Sequence, residues 1–298
     1  MNILVLGGTR FIGRSFVDAA LANGHQLTLF NRGVTPTDAP ASVRRIHGDR
    51  GDPGSVAPLA AGWDCVVDFS GYRPDQVRPV LHAVASSAHH YLYISTVSVY
   101  AQPLPVDASE DAPLLDVPED IAPQHPHASG ALKACCERLL REALGARLTV
   151  VRPTVVIGPN DYTDRFTWWV RRIAAGGTVP VPRRLGQHLQ LIDVRDLSAF
   201  LLLLAERAEA GTFNAVAPER PLTLGGMIST VSGALGVPIT PQPVDAGSDA
   251  EGLPLALGTE DDSMFRVSGA PAYAHGLQPR PLAESARDVL ASLAAPLA

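Results

Sequence analysis

Lysine is almost absent from this sequence: of its 24 basic residues all are arginine except Lys133. Basic residues are also outnumbered by the 30 acidic ones. The formal net charge of −6 lacks the positive excess with which proteins grip nucleic-acid phosphates, so no nucleic-acid partner is expected. The three cysteines, Cys65, Cys135 and Cys136, form neither a CxxC pair nor an even-numbered framework. That argues against a disulfide scaffold or a zinc site, and predicts reduced, mostly buried thiols in a cytoplasmic protein. His125-Pro126-His127 has no third ligand at metal-binding spacing, so no metal is expected. Long hydrophobic runs are missing too. Phe200 to Ala205 is far shorter than a bilayer span, and the apolar N-terminal stretch lacks the length and basic lead of a signal peptide. Neither a membrane partner nor an internal repeat is expected.

What the chain does have is concentrated at its start, MNILVLGGTRFIGR. Asn2 to Leu6 is an apolar run of the kind that forms a strand buried on both faces. Gly7, Gly8 and Gly13 surround a tight turn, and an apolar helical pattern follows through Phe16, Val17, Ala20 and Leu21 to the stop signal Asn23-Gly24. A strand, a glycine turn and a helix N-terminus together make a phosphate site, because free backbone N–H groups and the positive end of the helix dipole face the turn. Candidate contacts to a dinucleotide are Gly7, Thr9, Arg10, Phe11, Ile12 and Gly13.

The second strand, His25 to Asn31, ends in Asn31-Arg32-Gly33. An acid at this strand end would bind a ribose 2′-hydroxyl. Here Arg32, with Arg10 nearby in the turn, suits a 2′-phosphate instead, because a guanidinium fork donates two parallel hydrogen bonds. NADP(H) is therefore favoured over NAD(H). Further strands are read at 44–48, 65–69, 91–95 and 148–152, with helices at about 74–84 and 129–143 between them. This alternation predicts an α/β fold, a Rossmann doubly wound parallel sheet covered on both faces. Residues 101–128, rich in Pro, Asp and Glu, read as a long surface loop. Beyond Gly158-Pro159 the pattern changes to a helix through Phe166, Trp169 and Ile173, a hairpin-like stretch at 179–184, and a Pro/Gly/Asp-rich stretch at 237–258. Residues 188–192, the helix at 194–206 and a strand at 212–216 are expected to return to the main sheet. The resulting division is a nucleotide-binding domain over 1–157, completed by about 188–217, and a smaller C-terminal substrate lobe from 158–187 and 218–298. At 298 residues and 46% hydrophobic content the chain can bury both.

These residues resemble the short-chain dehydrogenase/reductase superfamily, in its extended and atypical epimerase/dehydratase-like branch. Gly7-Gly8-Thr9-Arg10-Phe11-Ile12-Gly13 resembles the family's TGxxGxxG turn, with Arg10 in place of the middle glycine. The resemblance implies that Asp49 and Arg50, Ser70 and Gly71, and Pro153 border the cofactor, and that Thr96 stands in the place of the catalytic serine. The family's YxxxK signature falls at 129–133, where the sequence reads Ser129-Gly130-Ala131-Leu132-Lys133. The lysine that would hold the nicotinamide ribose is present; the tyrosine that would serve as acid/base is not. An alkyl hydroxyl is too weak an acid and too short to replace a phenol directly, though Ser129 could relay a proton through water. His127 and Tyr162 are alternative proton donors, and for each a loop or packing role is the simpler one.

The leading expectation is an NADP-dependent reductase of a small carbonyl, alcohol or imine compound, monomeric or homodimeric. Non-redox isomerisation, cyclisation or elimination on the same scaffold, an NADP sensor without turnover, and the RNA binding of chloroplast stem-loop-binding proteins are the other readings the resemblance allows.

Overall fold

The computed structural model describes residues 1–36, 39–122, 124–125, 127–244, 252–257 and 261–294. The first half alternates strand and helix: β1 (Asn2–Leu6), α1 (Phe11–Ala22), β2 (Gln26–Asn31), β3 (Arg44–His47), α2 (Pro53–Val56), β4 (Trp63–Asp68), α3 (Pro74–Val84), β5 (Ala88–Ile94), α4 (Ala128–Leu144) and β6 (Leu148–Pro153). There follow β7 (Val155–Ile157), α5 (Arg165–Ala174), β8 (Gly177–Pro182), β9 (His188–Leu189), β10 (Leu191–Asp193), α6 (Val194–Arg207) and β11 (Gly211–Ala215). The last elements are β12 (Leu222–Thr223), α7 (Leu224–Leu235), β13 (Ile239–Val244), α8 (Ala270–Ala274) and α9 (Leu282–Ala294). Among the described residues no helix is long and apolar enough to cross a membrane.

The central sheet runs β11-β6-β5-β4-β1-β2-β3, and every pairing in it is parallel. The period of two along β1 explains how one strand serves two cores. Ile3 and Val5 pack with Phe16, Val17 and Ala20 of α1 and Leu197, Leu201 and Leu204 of α6. Leu4 and Leu6 face the other way, into Val77, Val80 and Val84 of α3 and Cys136, Leu140 and Leu144 of α4. The chain leaves β1 for β2 on one side and reaches β4 on the other. The carboxyl ends of β1 and β4 therefore diverge into a crevice, the place where such sheets receive ligands.

The distal lobe has its own core, built by Phe166, Trp169 and Ile173 of α5, Leu224, Met227 and Val231 of α7, and Ala286 and Val289 of α9. Two expectations change here. Residues 177–182 form no hairpin: β8 pairs in parallel with β13, a strand lying inside the stretch read as irregular, whose residues 245–251 and 258 are outside the described set. Residues 188–193 do not join the central sheet. The strand β9 pairs with β12 and β10 with β7, and Val155, Ile157, Leu189 and Leu191 are packed in the lobe core. Short apolar runs carry no information about which sheet they join; here Leu189 and Leu191 go to the lobe while Ile192 packs in the central core. Segment 101–122 is also less superficial than its composition suggests. Leu104 and Ala108 are buried, and Asp107 and Ser268 bond it to the C-terminal segment through Arg266 O and Ala108 O.

A buried polar network joins α4 to the sheet. Arg152 of β6 donates from Nε and Nη2 to the two oxygens of Glu137, at 3.0 and 2.5 Å, and from Nη1 to Tyr100 Oη and Glu110 O. Ser95 Oγ donates to the same carboxylate, and Glu137 is fully buried. Removing one member of such a pair strands the other charge in the interior. Arg152→Met should therefore lower the unfolding free energy by about 3–5 kcal/mol, read from the urea midpoint. A loss below about 1 kcal/mol would mean that Arg141, whose Nη2 lies 3.5 Å from Glu137 Oε2, holds the carboxylate without Arg152.

Candidate functional site

The crevice at the carboxyl ends of β1, β2, β4 and β5 holds a cleft of about 680 Å³. Its floor begins with the glycine turn. Gly7 and Gly8 have φ of +102° and +79°, a region costly for any side chain, and a Cβ on Gly13 would lie 2.8 Å from Gly8 Cα. That contact lets α1 start directly against the turn. The helix N-terminus has no side-chain cap and no acidic residue in its first turn, so its N–H groups remain available to an anion. The turn fits a pyrophosphate on these grounds alone.

The rim at the end of β2 carries the predicted arginines. Arg10 and Arg32 are exposed and line the cleft together with Arg165, which the sequence reading did not anticipate. The guanidinium of Arg10 stacks 5.6 Å from the Tyr162 ring centroid, and Tyr162 also packs edge-on against Phe11. The Asn31 carboxamide is engaged locally, accepting from Gly33 N at 2.9 Å. Among the described residues no carboxylate lines the cleft at the β2 end, and Asp49, which lines it beyond β3, is exposed.

The inner wall is organised by Asp68, the fully buried last residue of β4. Arg50 Nη1 and Nη2 donate to its two oxygens at 2.7 and 2.8 Å, Tyr91 Oη donates at 2.8 Å, and the amides of Ser70 and Gly71 donate at 2.9 Å. Burial works to raise the Asp68 pKa, but the Arg50 charge and these hydrogen bonds hold it below the usual carboxylate range. Arg50 borders the cleft as expected, with most of its donors turned inward: beyond Asp68 they go to Ser70 Oγ and Gln76 O. Gly71 lies behind the wall: a Cβ there would meet Asp68 Oδ2 at 2.7 Å, and its carbonyl accepts from Tyr93 Oη at 2.6 Å.

Lys133 reaches the cleft from α4. Its ammonium donates to Ile94 O at 2.6 Å and lies 3.4 Å from Gly71 O, with the rings of Tyr72 and Tyr93 each 4.9 Å away. Burial disfavours the charged form and brings the Lys133 pKa down to about 8. Thr96, at the exit of β5, lines the same cleft and accepts from Ser98 N. Pro153 and Thr154 close the far end, and the buried Thr154 hydroxyl has no partner among the described residues.

Most of the expected cofactor residues thus converge: Gly7, Thr9, Arg10, Phe11, Ile12, Gly13, Asn31, Arg32, Asp49, Arg50, Ser70, Lys133 and Pro153 border one cleft. Ser129 and His127 do not: both are exposed and neither lines the cleft. Tyr72 was not anticipated. The only signal for it was an aromatic residue following the strand-end pair Ser70-Gly71.

Comparison with known proteins gives a consistent result. The model of the NAD dependent epimerase/dehydratase family matches residues 3–216. The chain is 33% identical over 256 residues to the chloroplast stem-loop binding protein of 41 kDa b from Arabidopsis thaliana; the match covers 80% of this chain and 64% of that protein's length. It is 27% identical over 262 residues to a 2-alkyl-3-oxoalkanoate reductase of Stenotrophomonas maltophilia, covering 80% and 77% of the two chains. Among solved structures, a UDP-glucose 4-epimerase of Thermus thermophilus in complex with NAD superimposes with a TM-score of 0.74 at 19% identity, covering 99% of this chain and all of that one. The Thermotoga maritima UDP-glucose 4-epimerase gives 0.73 at 17% identity, with 98% of each chain covered. At such identities the likeness is one of fold.

The single lysine makes its ionisation directly readable. Selective ¹⁵N-lysine labelling should give one side-chain resonance, titrating near pH 8. A midpoint at or above the ordinary value of about 10.4 would mean that the Lys133 ammonium remains solvated.

Proposed function

Because the chain belongs to the NAD-dependent epimerase/dehydratase family, we propose that it is an NADP-dependent reductase of a small carbonyl compound, reversible toward the alcohol or amine. The observation that carries the reading is one cleft in which Lys133 and Thr96 stand at the β5 end and the exposed Arg10 and Arg32 stand at the phosphate end. Bound there, the dinucleotide supplies or accepts a hydride. The protein does the rest. The turn amides and the α1 N-terminus neutralise the pyrophosphate, Arg32 grips the 2′-phosphate, and Lys133 donates to ribose hydroxyls from a dry wall. Thr96 orients the reacting oxygen. The distal lobe covers the cleft and selects the substrate. The likeness to a 2-alkyl-3-oxoalkanoate reductase supports a keto substrate. The same reading takes the protein as cytoplasmic and as a monomer or homodimer.

NADPH should bind more tightly than NADH, and Arg32→Ala should weaken NADPH binding by about 1.5–3 kcal/mol while leaving NADH nearly unaffected. Fluorescence titration of both cofactors into both proteins measures this. Equal affinities in the wild type would defeat the NADP assignment.

A second reading, RNA binding, is favoured by the identity to the chloroplast stem-loop binding protein. The net charge of −6 opposes it, since phosphate contacts need a basic face. Fluorescence polarisation with a labelled stem-loop RNA at 50 mM salt is expected to show no binding. Micromolar affinity with a steep salt dependence would establish that reading instead.

A further inference from the structure

A reductase needs a proton donor beside its hydride site, and the residue at the family's tyrosine position, Ser129, lies outside the cleft. The chain has six tyrosines. Four have spent their hydroxyls inside the protein: Tyr91 on Asp68, Tyr93 on Gly71 O, Tyr100 on Asn214 and Tyr273 on Val216 O. Of the two remaining, Tyr162 packs on Phe11 and Arg10 at the phosphate end. Tyr72 lies instead over Lys133. Its ring faces the Lys133 ammonium at 4.9 Å, it lines the cleft together with Lys133 and Thr96, and its hydroxyl has no hydrogen-bond partner among the described residues.

We propose that Tyr72 is the proton donor of this site, a phenol presented to the lone lysine from the loop after β4 instead of from helix α4. The proposal rests on the reductase reading above. In the reduction, the carbonyl carbon takes a hydride from the reduced nicotinamide, which is oxidised, and the C=O π pair moves onto oxygen. Tyr72 Oη–H gives its proton to that oxygen, forming the alcohol. The phenolate left behind faces Lys133 and regains a proton from water, so that one carbonyl, one hydride and one proton become one alcohol.

The surroundings keep the phenol protonated. Partial burial against the cleft walls, then Tyr162 and Asp68, raise the Tyr72 pKa, and Arg50 lowers it; the net rise makes the phenol a weaker acid, so the donor role rests on its place over Lys133 in the cleft. The groups facing it are Lys133 of α4, Asp68 of β4, Arg50 beyond β3 and Tyr162 beyond β7. Its backbone is fixed from both sides. The amides of Ser70 and Gly71 are held by Asp68, and the Tyr72 N–H donates to Gln76 Oε1 at 3.4 Å.

Tyr72→Phe keeps the ring over Lys133 and removes only the hydroxyl, and the half-exposed site tolerates it. Single-turnover NADPH oxidation by ethyl acetoacetate, 2-methyl-3-oxobutanoate or 9,10-phenanthrenequinone should slow by about 10²- to 10⁴-fold. The NADPH dissociation constant should stay within about threefold, which separates proton delivery from binding. A second readout needs no cofactor. In Tyr72→3-nitrotyrosine, whose phenol titrates near neutrality while Lys133 is still charged, adding Lys133→Met should raise the midpoint by about one pH unit. Turnover of Tyr72→Phe within a few fold of wild type, an unmoved midpoint, or a loss carried by Tyr162→Phe instead would overturn the donor role and leave the reductase reading standing. Wild-type protein that binds NADPH yet oxidises it with none of the probes would overturn both.

Discussion

The site depends on one buried ion pair, Asp68–Arg50. Asp68 sits fully buried at the point where the sheet order reverses, and an isolated carboxylate there would cost several kcal/mol. Its two oxygens are satisfied by the Arg50 fork, the Tyr91 hydroxyl and the amides of Ser70 and Gly71. Satisfying the charge fixes the loop after β4. That loop in turn presents Ser70 and Tyr72 to the cleft and holds the Gly71 carbonyl where Tyr93 donates to it and Lys133 approaches it. The segment after β3 is drawn in by the same pair, since Arg50 belongs to it. Two loops and strand β5 are thus tied to one carboxylate, and the wall of the cleft is a consequence of its hydrogen bonds.

The scarcity of lysine acquires a physical meaning in that setting. Arginine remains charged in every environment and is bulky. It serves at the rim, where Arg10 and Arg32 are exposed, and in the interior only where a carboxylate meets it, as Arg152 meets Glu137 and Arg50 meets Asp68. Among the described residues Lys133 makes no ion pair with a carboxylate. Its compact ammonium is held by two carbonyls and two aromatic rings, and burial brings its pKa near 8. Such a group can lose its proton near working pH, which a guanidinium cannot.

Glycine and period-two patterning made the first half of the fold legible. The strand-turn-helix start required only local backbone rules: positive φ at Gly7 and Gly8, close approach at Gly13, and apolar faces that alternate along β1. The strands read at 25–31, 91–95 and 148–152 and the helices read at about 74–84 and 129–143 fall within a few residues of β2, β5, β6, α3 and α4. The strands of the lobe did not: β9 and β10 hold only two and three residues, and β13 carries Pro241 and Pro243, which obscure a strand signal.

By itself, then, the sequence determined the doubly wound sheet, the phosphate turn, the arginine at the β2 end and the single lysine on α4, all properties of residues within one or two turns of each other. Only the tertiary structure decided which polar side chains share the cleft. It turned Arg50 inward because a buried carboxylate 18 residues away demanded it, left Ser129 and His127 on the outside, and brought Tyr72 against Lys133 across 61 positions of chain. Such meetings depend on where separate loops end in space, and that is set by the packing of the whole sheet rather than by any local pattern.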